Sequence, residues 1–394
     1  MKLFLIDGHA LIFKMYYAFL GRPMVNSKGV DTSILFGFTK YLMELIEREK
    51  PTHLAVSFDP PGGTFRNELY PEYKANRGET PQLVIDALEP LTRLVKAMDI
   101  PVLMIPGYEA DDVIGSMALR SASEGFDVYM VTPDKDYGQL IGEHVIQYKP
   151  GKAGGENELI DVAGVCEKWN ISSPAQVIDI LALCGDSADN VPGVQGVGPV
   201  GAAKLLRKYG TLENIYAHLE ELTPRQQEQF RAAEGHIALS KELVTIKTDI
   251  VLETTSGDML FDMAMTPELQ ALFDEFEFYS LKKKLPFLCV RQQEETTVRN
   301  EAVSVEFKDV APSGITSAKV ALNLCGERLY VAAPGKVAVA SPEEFRALLE
   351  DASVTKAGAG MKALIKGLHG HGLEIRGPLE DVELMHYLLN PERS

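Results

Sequence analysis

The chain reads as short apolar runs that break on acids. Leu3-Phe4-Leu5-Ile6 stops at Asp7, Leu54-Ala55-Val56-Ser57-Phe58 stops at Asp59, and Val128-Tyr129-Met130-Val131 ends three residues before Asp134. Runs of this length, bounded by polar residues, predict strands buried on both faces, as in a parallel sheet. Val102 to Ile105 and Glu143 to Tyr148 predict two more. Between them the apolar residues recur at helical spacing: Ile34, Leu35, Phe38, Tyr41, Leu42, Leu45 and Ile46, then Val84, Leu88, Leu91 and Val95. Val113 to Arg120 predicts a helix entered through acids, Val177 to Leu183 a hydrophobic helix, and residues 211–287 a mainly helical region. The expected fold is therefore α/β, a central, mostly parallel sheet flanked by helices.

From Ala302 the pattern changes. Val303 to Phe307, Val320 to Leu324 and Leu329 to Ala333 predict strands; Pro342 to Leu349, Gly358 to Leu368 and Leu379 to Leu389 predict helices. Polar residues 292–299 separate the two patterns, which sets the expected domains at 1–290, a linker at 291–300, and 301–394.

Strand ends in an open α/β sheet gather in the crevice where such folds bind ligands. Here they deliver acids: Asp7, Asp59, the Gly107-Tyr108-Glu109-Ala110-Asp111-Asp112 stretch, and Asp134-Lys135-Asp136. Asp186 and Asp189, three apart after the 177–183 helix, add two more. Crowded carboxylates repel unless cations neutralise them, and hard divalent ions such as Mg²⁺ or Mn²⁺ prefer oxygen ligands. Nine carboxylates (Asp7, Asp59, Glu109, Asp111, Asp112, Asp134, Asp136, Asp186 and Asp189) suffice for two such ions, some through water. Two ions can activate a water and stabilise the leaving oxygen of a phosphodiester.

Two basic elements accompany the acids. Residues 65–77 mix aromatics with Arg66, Lys74 and Arg77, which suit phosphate contact, and Tyr73, which suits stacking on a base. Gly193, Gly196, Gly198 and Gly201 form a tight turn before a helix carrying Lys204, Arg207 and Lys208. Backbone groups in such a turn can meet a phosphate directly and hold a cation beside it. The turn lacks the Walker lysine with its Ser or Thr, so it is no P-loop. Lys14, the lone cation after Asp7, is a further candidate for a substrate phosphate.

Composition changes this picture little. The formal charge of −17 argues against a generic nucleic-acid binder unless many acids are metal ligands and the bases share one face. Four scattered cysteines without ligand or disulfide spacing point to a reducing cytoplasm. No apolar run approaches the roughly 18 to 20 residues that span a bilayer.

Asp7-Gly8, the strand ending at Asp59, Tyr73-Lys74-Ala75-Asn76-Arg77, Gly107 to Asp112, Thr132-Pro133-Asp134-Lys135-Asp136 and Gly185 to Gly193 together resemble the flap-endonuclease family, most of all the 5′-nuclease domain at the N-terminus of bacterial DNA polymerases I. The resemblance covers about residues 1 to 290. It implies a monomeric 5′→3′ exonuclease and 5′-flap endonuclease using two Mg²⁺ or Mn²⁺ on flapped, nicked or primer-bearing duplexes and RNA–DNA junctions. Lys14, Lys74, Arg77, Asp111 and Asp134 would be catalytic. The resemblance further implies a helical arch around residues 64–100 over the single-stranded 5′ arm, and a helix-hairpin-helix region around 185–210 holding K⁺ against the duplex. Many relatives place an arginine where Lys14 stands; lysine keeps the charge but loses the bidentate fork.

Residues 301–394 resemble the start of a ribonuclease-H-like 3′→5′ exonuclease domain, with a polymerase domain normally following in the same chain. Its acids are sparse: Glu306 has no partner two residues away, Gly360-Met361-Lys362-Ala363-Leu364 replaces an acid-bearing motif, and Asp381 stands nearly alone. This domain is expected to be inactive. Competing expectations are a non-catalytic branched-DNA-binding or scaffold module, and a metal-dependent ribonuclease.

Overall fold

Strand β1 (Lys2–Asp7) shows why a four-residue apolar run suffices to organise the first sheet. Side chains alternate across a strand, so Leu3 and Leu5 enter one core while Phe4 and Ile6 enter another on the opposite face. The computed structural model describes residues 1–151, 155–289 and 308–389. The chain divides into two compact units, Met1–Thr297 and Val298–Ser394.

In the first unit β1 lies between β2 (His53–Ser57) and β4 (Asp127–Val131), parallel to both, with Asp7 opposite Ser57 and Ile6 opposite Val131. The sheet order is β3-β2-β1-β4-β5-β6, with β3 at Val102–Leu103, β5 at Val145–Lys149 and β6 at Glu158–Ile160. β6 alone runs antiparallel. The strand order reverses beside β1, so the crevice opens where β1, β2 and β4 end.

Helices cover both faces. α1 (Gly8–Phe19), α2 (Ser33–Glu49), α4 (Gln82–Ala97) and α12 (Pro267–Glu275) close one core; α5 (Ala110–Ser123), α7 (Gln176–Cys184), α8 (Pro199–Tyr209) and α11 (Ile237–Val244) close the other. The shorter helices are α3 (Phe65–Leu69), α6 (Val162–Trp169), α9 (Leu212–Ala217), α10 (Pro224–Ala233), α13 (Tyr279–Lys282) and α14 (Leu285–Leu288). Gly8 starts α1 against β2: a Cβ there would lie 2.3 Å from the Phe58 ring and 2.8 Å from the Ser57 carbonyl. α7 and α8 form a helical hairpin whose turn depends on Gly193, where a Cβ would lie 2.3 Å from the Gly185 nitrogen.

The expected arch over 64–100 is only partly separate from the core. α4 buries Val84, Ala87, Leu91, Leu94 and Val95, so it is a core helix, as its apolar stripe requires. The remaining segment, 65–77, folds onto the loop after α7. The Lys74 amide donates to the Asp189 carbonyl at 2.9 Å, and Asn190 Nδ2 to the Glu72 carbonyl at 2.8 Å.

The second unit holds the order β12-β11-β8-β9-β10-β7. Its strands are β7 (Lys308–Asp309), β8 (Lys319–Cys325), β9 (Arg328–Ala333), β10 (Lys336–Ala340), β11 (Thr355–Gly358) and β12 (Leu379–Asp381). β8, β9 and β10 form an antiparallel meander, while β11 runs parallel to both β8 and β12. Its helices are α15 (Arg346–Glu350), α16 (Met361–Gly370) and α17 (Val382–Leu389). The expected helix from Leu379 is corrected: Leu379–Asp381 is a strand paired with Lys356–Gly358, and the helix starts at Val382. The 291–300 linker and the expected strand with Glu306 lie outside the described residues.

Candidate functional site

Each acid is fixed by the element that delivers it. Asp7 ends β1 and caps α1, accepting from the Ala10 amide at 3.0 Å; an anion is favoured at a helix N-terminus. It also accepts from Thr132 Oγ1 at 2.9 Å and the Tyr137 hydroxyl at 3.3 Å. Asp59 Oδ1 accepts from the Ala110 amide at 2.7 Å, which ties the end of β2 to the start of α5. The Asp134 carbonyl accepts from buried Gln147 on β5, and Asp134 Oδ1 accepts from the Asp136 amide at 3.0 Å.

The electrostatics bring four of these acids together. Burial raises the Tyr137 phenol strongly, and the carboxylates of Asp7, Asp111, Asp134 and Asp59 add to the rise. Asp7 itself is pushed up to about 7 by burial, with Asp59 and Asp134 contributing. Burial and neighbouring Asp112 hold Asp111 well above the usual carboxylate range. Burial with Asp134 pushes Asp136 up to about 6. Asp7, Asp59, Asp111 and Asp134 are short of positive charge: among the described residues Asp59 pairs only with His9, and Asp111 only with Arg66 at 4.0 Å.

The others already have cations. Glu109 receives Lys74 Nζ at 2.5 Å, and Asp189 is paired with Arg77 and accepts from the Tyr73 hydroxyl at 3.2 Å. Lys74 holds a left-handed backbone, φ 60°, uncommon for a residue with a side chain. Asp112 is fully buried and takes Arg66 through both oxygens, at 2.6 and 2.8 Å. Asp136 and Asp186 share Lys135, at 3.1 and 3.0 Å.

Two expected DNA contacts change place. Arg66 is 1% exposed and also donates to the carbonyls of Leu243 and Thr245. A guanidinium with its donors committed inside the protein offers no surface to a phosphate. Tyr73 is 5% exposed, with its hydroxyl on Glu109 and Asp189, so its ring is not presented for stacking on a base. Lys14 turns toward the carbonyls of Pro150 and Gly151 rather than the acids. On the α7–α8 hairpin Lys204 is exposed, Gly196 takes φ 79°, and a Cβ at Gly198 would meet nothing within 4 Å. Gly201 is also open, with the nearest atom to a Cβ at 4.0 Å.

Sequence reasoning missed Thr132, Tyr137 and Gln147, which position Asp7 and Asp134, and the bridging role of Lys135. Only Thr132 and Lys135 carried a signal, their place beside Asp134. Among the described residues no three His, Cys, Asp or Glu side chains stand close enough to hold one ion as they are arranged. The acids nevertheless fit divalent cations by chemistry: all are oxygen donors, and Asp7, Asp111 and Asp136 are crowded enough to resist ionising. No helix among the described residues is long and apolar enough to cross a membrane.

Comparison with known proteins follows the same division. Residues 2–170 match the family model described as 5′-3′ exonuclease, N-terminal resolvase-like domain, and residues 172–266 match 5′-3′ exonuclease, C-terminal SAM fold. The chain is 35% identical over 283 residues to a 5′-3′ exonuclease of Aquifex aeolicus, covering 72% of this chain and 94% of that protein. It is 32% identical over 410 residues to DNA polymerase I of Bacillus caldotenax, covering 100% of this chain and 46% of that protein. A bacteriophage T5 flap endonuclease solved with DNA and metal ions shares the fold at TM-score 0.54 and 21% identity, over 63% of this chain and 90% of its own. The expectation of a polymerase domain in the same chain is corrected. The chain spans about half the length of its DNA polymerase I relatives, and the family models it matches are those of the nuclease. The two adjoining matches, with a relative 94% covered at 35% identity, show that the chain belongs to the 5′-3′ exonuclease family of nucleases.

Proposed function

We propose that this chain hydrolyses phosphodiesters at the 5′ ends and 5′ flaps of DNA duplexes, and at RNA primers joined to DNA, with two Mg²⁺ or Mn²⁺. The observation that carries this reading is the delivery of Asp7, Asp59 and Asp134 to one sheet edge by the parallel strands β1, β2 and β4, with Asp59 bonded to the first turn of the helix that bears Asp111. Such ions would supply an activated water and charge stabilisation for the leaving oxygen. Asp7, Asp59, Asp111 and Asp134 would hold one, and Asp134, Asp136 and Asp186 a second.

The chain's own bases do the rest. Lys74 and Arg77, half-exposed on the segment over the acids, would turn from Glu109 and Asp189 to the reacting phosphate when the 5′ arm enters. Lys14 would approach from α1. Arg66 keeps Asp112 neutralised and so fixes the first turn of α5, on which Asp111 stands. The open backbone of the α7–α8 hairpin would lie against the duplex, with K⁺ between turn and phosphate. Gly198→Ala probes this grip, because the added methyl has room in the free protein; it should weaken duplex binding several-fold, while unchanged affinity would remove the hairpin from the interface.

The second unit, in this reading, is a ribonuclease-H-like 3′→5′ exonuclease relative without activity. Its Asp381 accepts from the amides of Met361, Glu383 and Leu384 at 2.8 to 3.2 Å, a capping role that occupies it. The test is a 5′-labelled flap duplex incubated with the purified chain. Cleavage in Mg²⁺ that stops on chelation is expected. Intact flap at full duplex binding would overturn the assignment.

A further inference from the structure

Lys135 lies between two of the acids, and the elements that carry them are rigid. The 134–136 turn is pinned by the Asp134 amide on Thr132 Oγ1 at 3.2 Å, the Asp136 amide on Asp134 Oδ1 at 3.0 Å, and Gln147 on the carbonyls of Thr132 and Asp134. Asp186, 51 residues from Lys135 in the chain, sits in a closed turn. Its amide and carbonyl pair with Val191 at 3.0 and 2.8 Å, and its Oδ1 accepts from the Ala188 amide at 2.8 Å. The backbones that carry the two carboxylates are therefore held without help from any cation between them, and Asp186 Oδ1 is fixed as well. Lys135 Nζ fills that place, 3.1 Å from Asp136 Oδ1 and 3.0 Å from Asp186 Oδ2.

The other half of the acid group differs. Among the described residues neither Asp7 nor Asp134 makes an ion pair, Asp59 meets only His9, and Asp111 meets only Arg66 at 4.0 Å. One half is thus open to a divalent ion, and the other is already neutralised from within. The Lys135 side chain is 46% exposed, against 21% and 14% for its two partners. Its flexible stem can carry the charge out to water while the acids stay.

We propose that Lys135 is a resident counter-ion of the Asp136–Asp186 pair, which a second divalent cation must expel before it binds. The proposal rests on the two-ion reading above and adds an order to it. The Asp7–Asp59–Asp111–Asp134 half loads first, and the Asp136–Asp186 half loads weakly until Lys135 leaves. A weak second ion would make turnover depend on metal concentration well above that needed to fill the first site.

The test is Mn²⁺ binding to the full 394-residue chain without DNA, followed by the electron paramagnetic resonance of free Mn²⁺, in wild type, Lys135→Met and Lys135→Arg. Wild type should bind one equivalent tightly and a second weakly. Lys135→Met should tighten the second by about tenfold, as expected when two carboxylates lose a competing charge at this range, and leave the first unchanged. Lys135→Arg, which keeps the charge, should behave as wild type. Thermal melts of the three proteins establish that each is folded. A second dissociation constant that is unchanged or weaker in folded Lys135→Met overturns the counter-ion assignment alone. Absence of any Mn²⁺ binding in wild type overturns it together with the two-ion reading.

Discussion

In the first unit three adjacent parallel strands, β2, β1 and β4, run out on the same edge and lead to Asp59, Asp7 and Asp134. In the second, β8, β9 and β10 run into Cys325, Ala333 and Ala340 and, being antiparallel, end on alternate edges. Parallel pairing focuses strand ends, and antiparallel pairing disperses them. The same layered α/β plan therefore concentrates charge in one unit and leaves Asp381 to cap α17 and the start of α16 in the other. Among the described residues each unit also buries one long cation. Arg66 is met by carboxylate, Lys356 only by the carbonyls of Asp351 and Arg376. In the first unit the buried cation stabilises an acid-rich edge; in the second it fastens loops around β11.

The sharpest way to break this contrast is at the acids themselves. Asp111→Ala or Asp134→Ala should lower flap cleavage by about 10³-fold or more, the scale seen when a member of a catalytic group is removed, with flap binding largely retained. Asp381→Ala should leave 5′ cleavage within about twofold and reveal no 3′ digestion to lose. A quenched-flow assay on a 5′-labelled flap, with a 3′-labelled single strand alongside, reads all three. Near-normal turnover in both first-unit variants would remove the focusing argument. Release of 3′ nucleotides that depends on Asp381 would give the second unit a chemistry of its own.

What the sequence made legible follows the same physics. Acids at strand ends were readable because an apolar run that stops on Asp marks both the strand and its exit. The six-motif resemblance then covered the unit that the family models match. Less readable were contacts that only the fold creates. Nothing adjacent in sequence shows that Arg66 reaches Asp112 and the 243–245 carbonyls, and a base beside aromatics reads equally well as surface or as buried ion pair. Tyr73 failed for the same reason. β6 and β11 passed unnoticed because they are short and polar residues or glycine interrupt their apolar pattern, whereas β10, with the unbroken run Val337 to Ala340, was readable and was missed. β12 was masked by the spacing of Leu379, Val382 and Met385, which suits a helix although its first turn pairs as a strand.

Burial of the two cations gives the next comparison. Arg66→Met leaves Asp112, fully buried, without its counter-charge and should cost about 3 to 5 kcal/mol. Lys356→Met keeps the stem and strands only neutral carbonyls, a cost of about 1 to 3 kcal/mol. Urea unfolding can separate the units, since the chain's one tryptophan, Trp169, reports the first unit only. The Arg66 variant should move the tryptophan transition, and the Lys356 variant should move only the far-ultraviolet signal. Equal losses, or a tryptophan transition displaced by Lys356→Met, would show that the two buried cations are not independent.

A further effect is expected on pH, and here the two units should respond with opposite sign. In metal-free protein Asp7 is pushed up to about 7 from 3.8 by burial, with Asp59 and Asp134 adding to it. Between these values the folded state binds a proton that the unfolded state has released. Stability of the first unit should therefore fall as pH rises from about 4 to about 7, and level off above. Asp381 is shifted the other way: the amides of Leu384, Met361 and Glu383 hold its carboxyl below the usual range. Its contribution is present above pH 4 and is lost as pH falls further, so the second unit should weaken only in acid. Melting curves in chelator from pH 3.5 to 8, with Asp7→Asn and Asp381→Asn alongside, check both slopes. Asp7→Asn should flatten the first between pH 4 and 7, and added Mg²⁺ should do the same in wild type, because a bound cation removes the reason to hold a proton. A first-unit slope that survives Asp7→Asn unchanged would place the strain on another acid of the group.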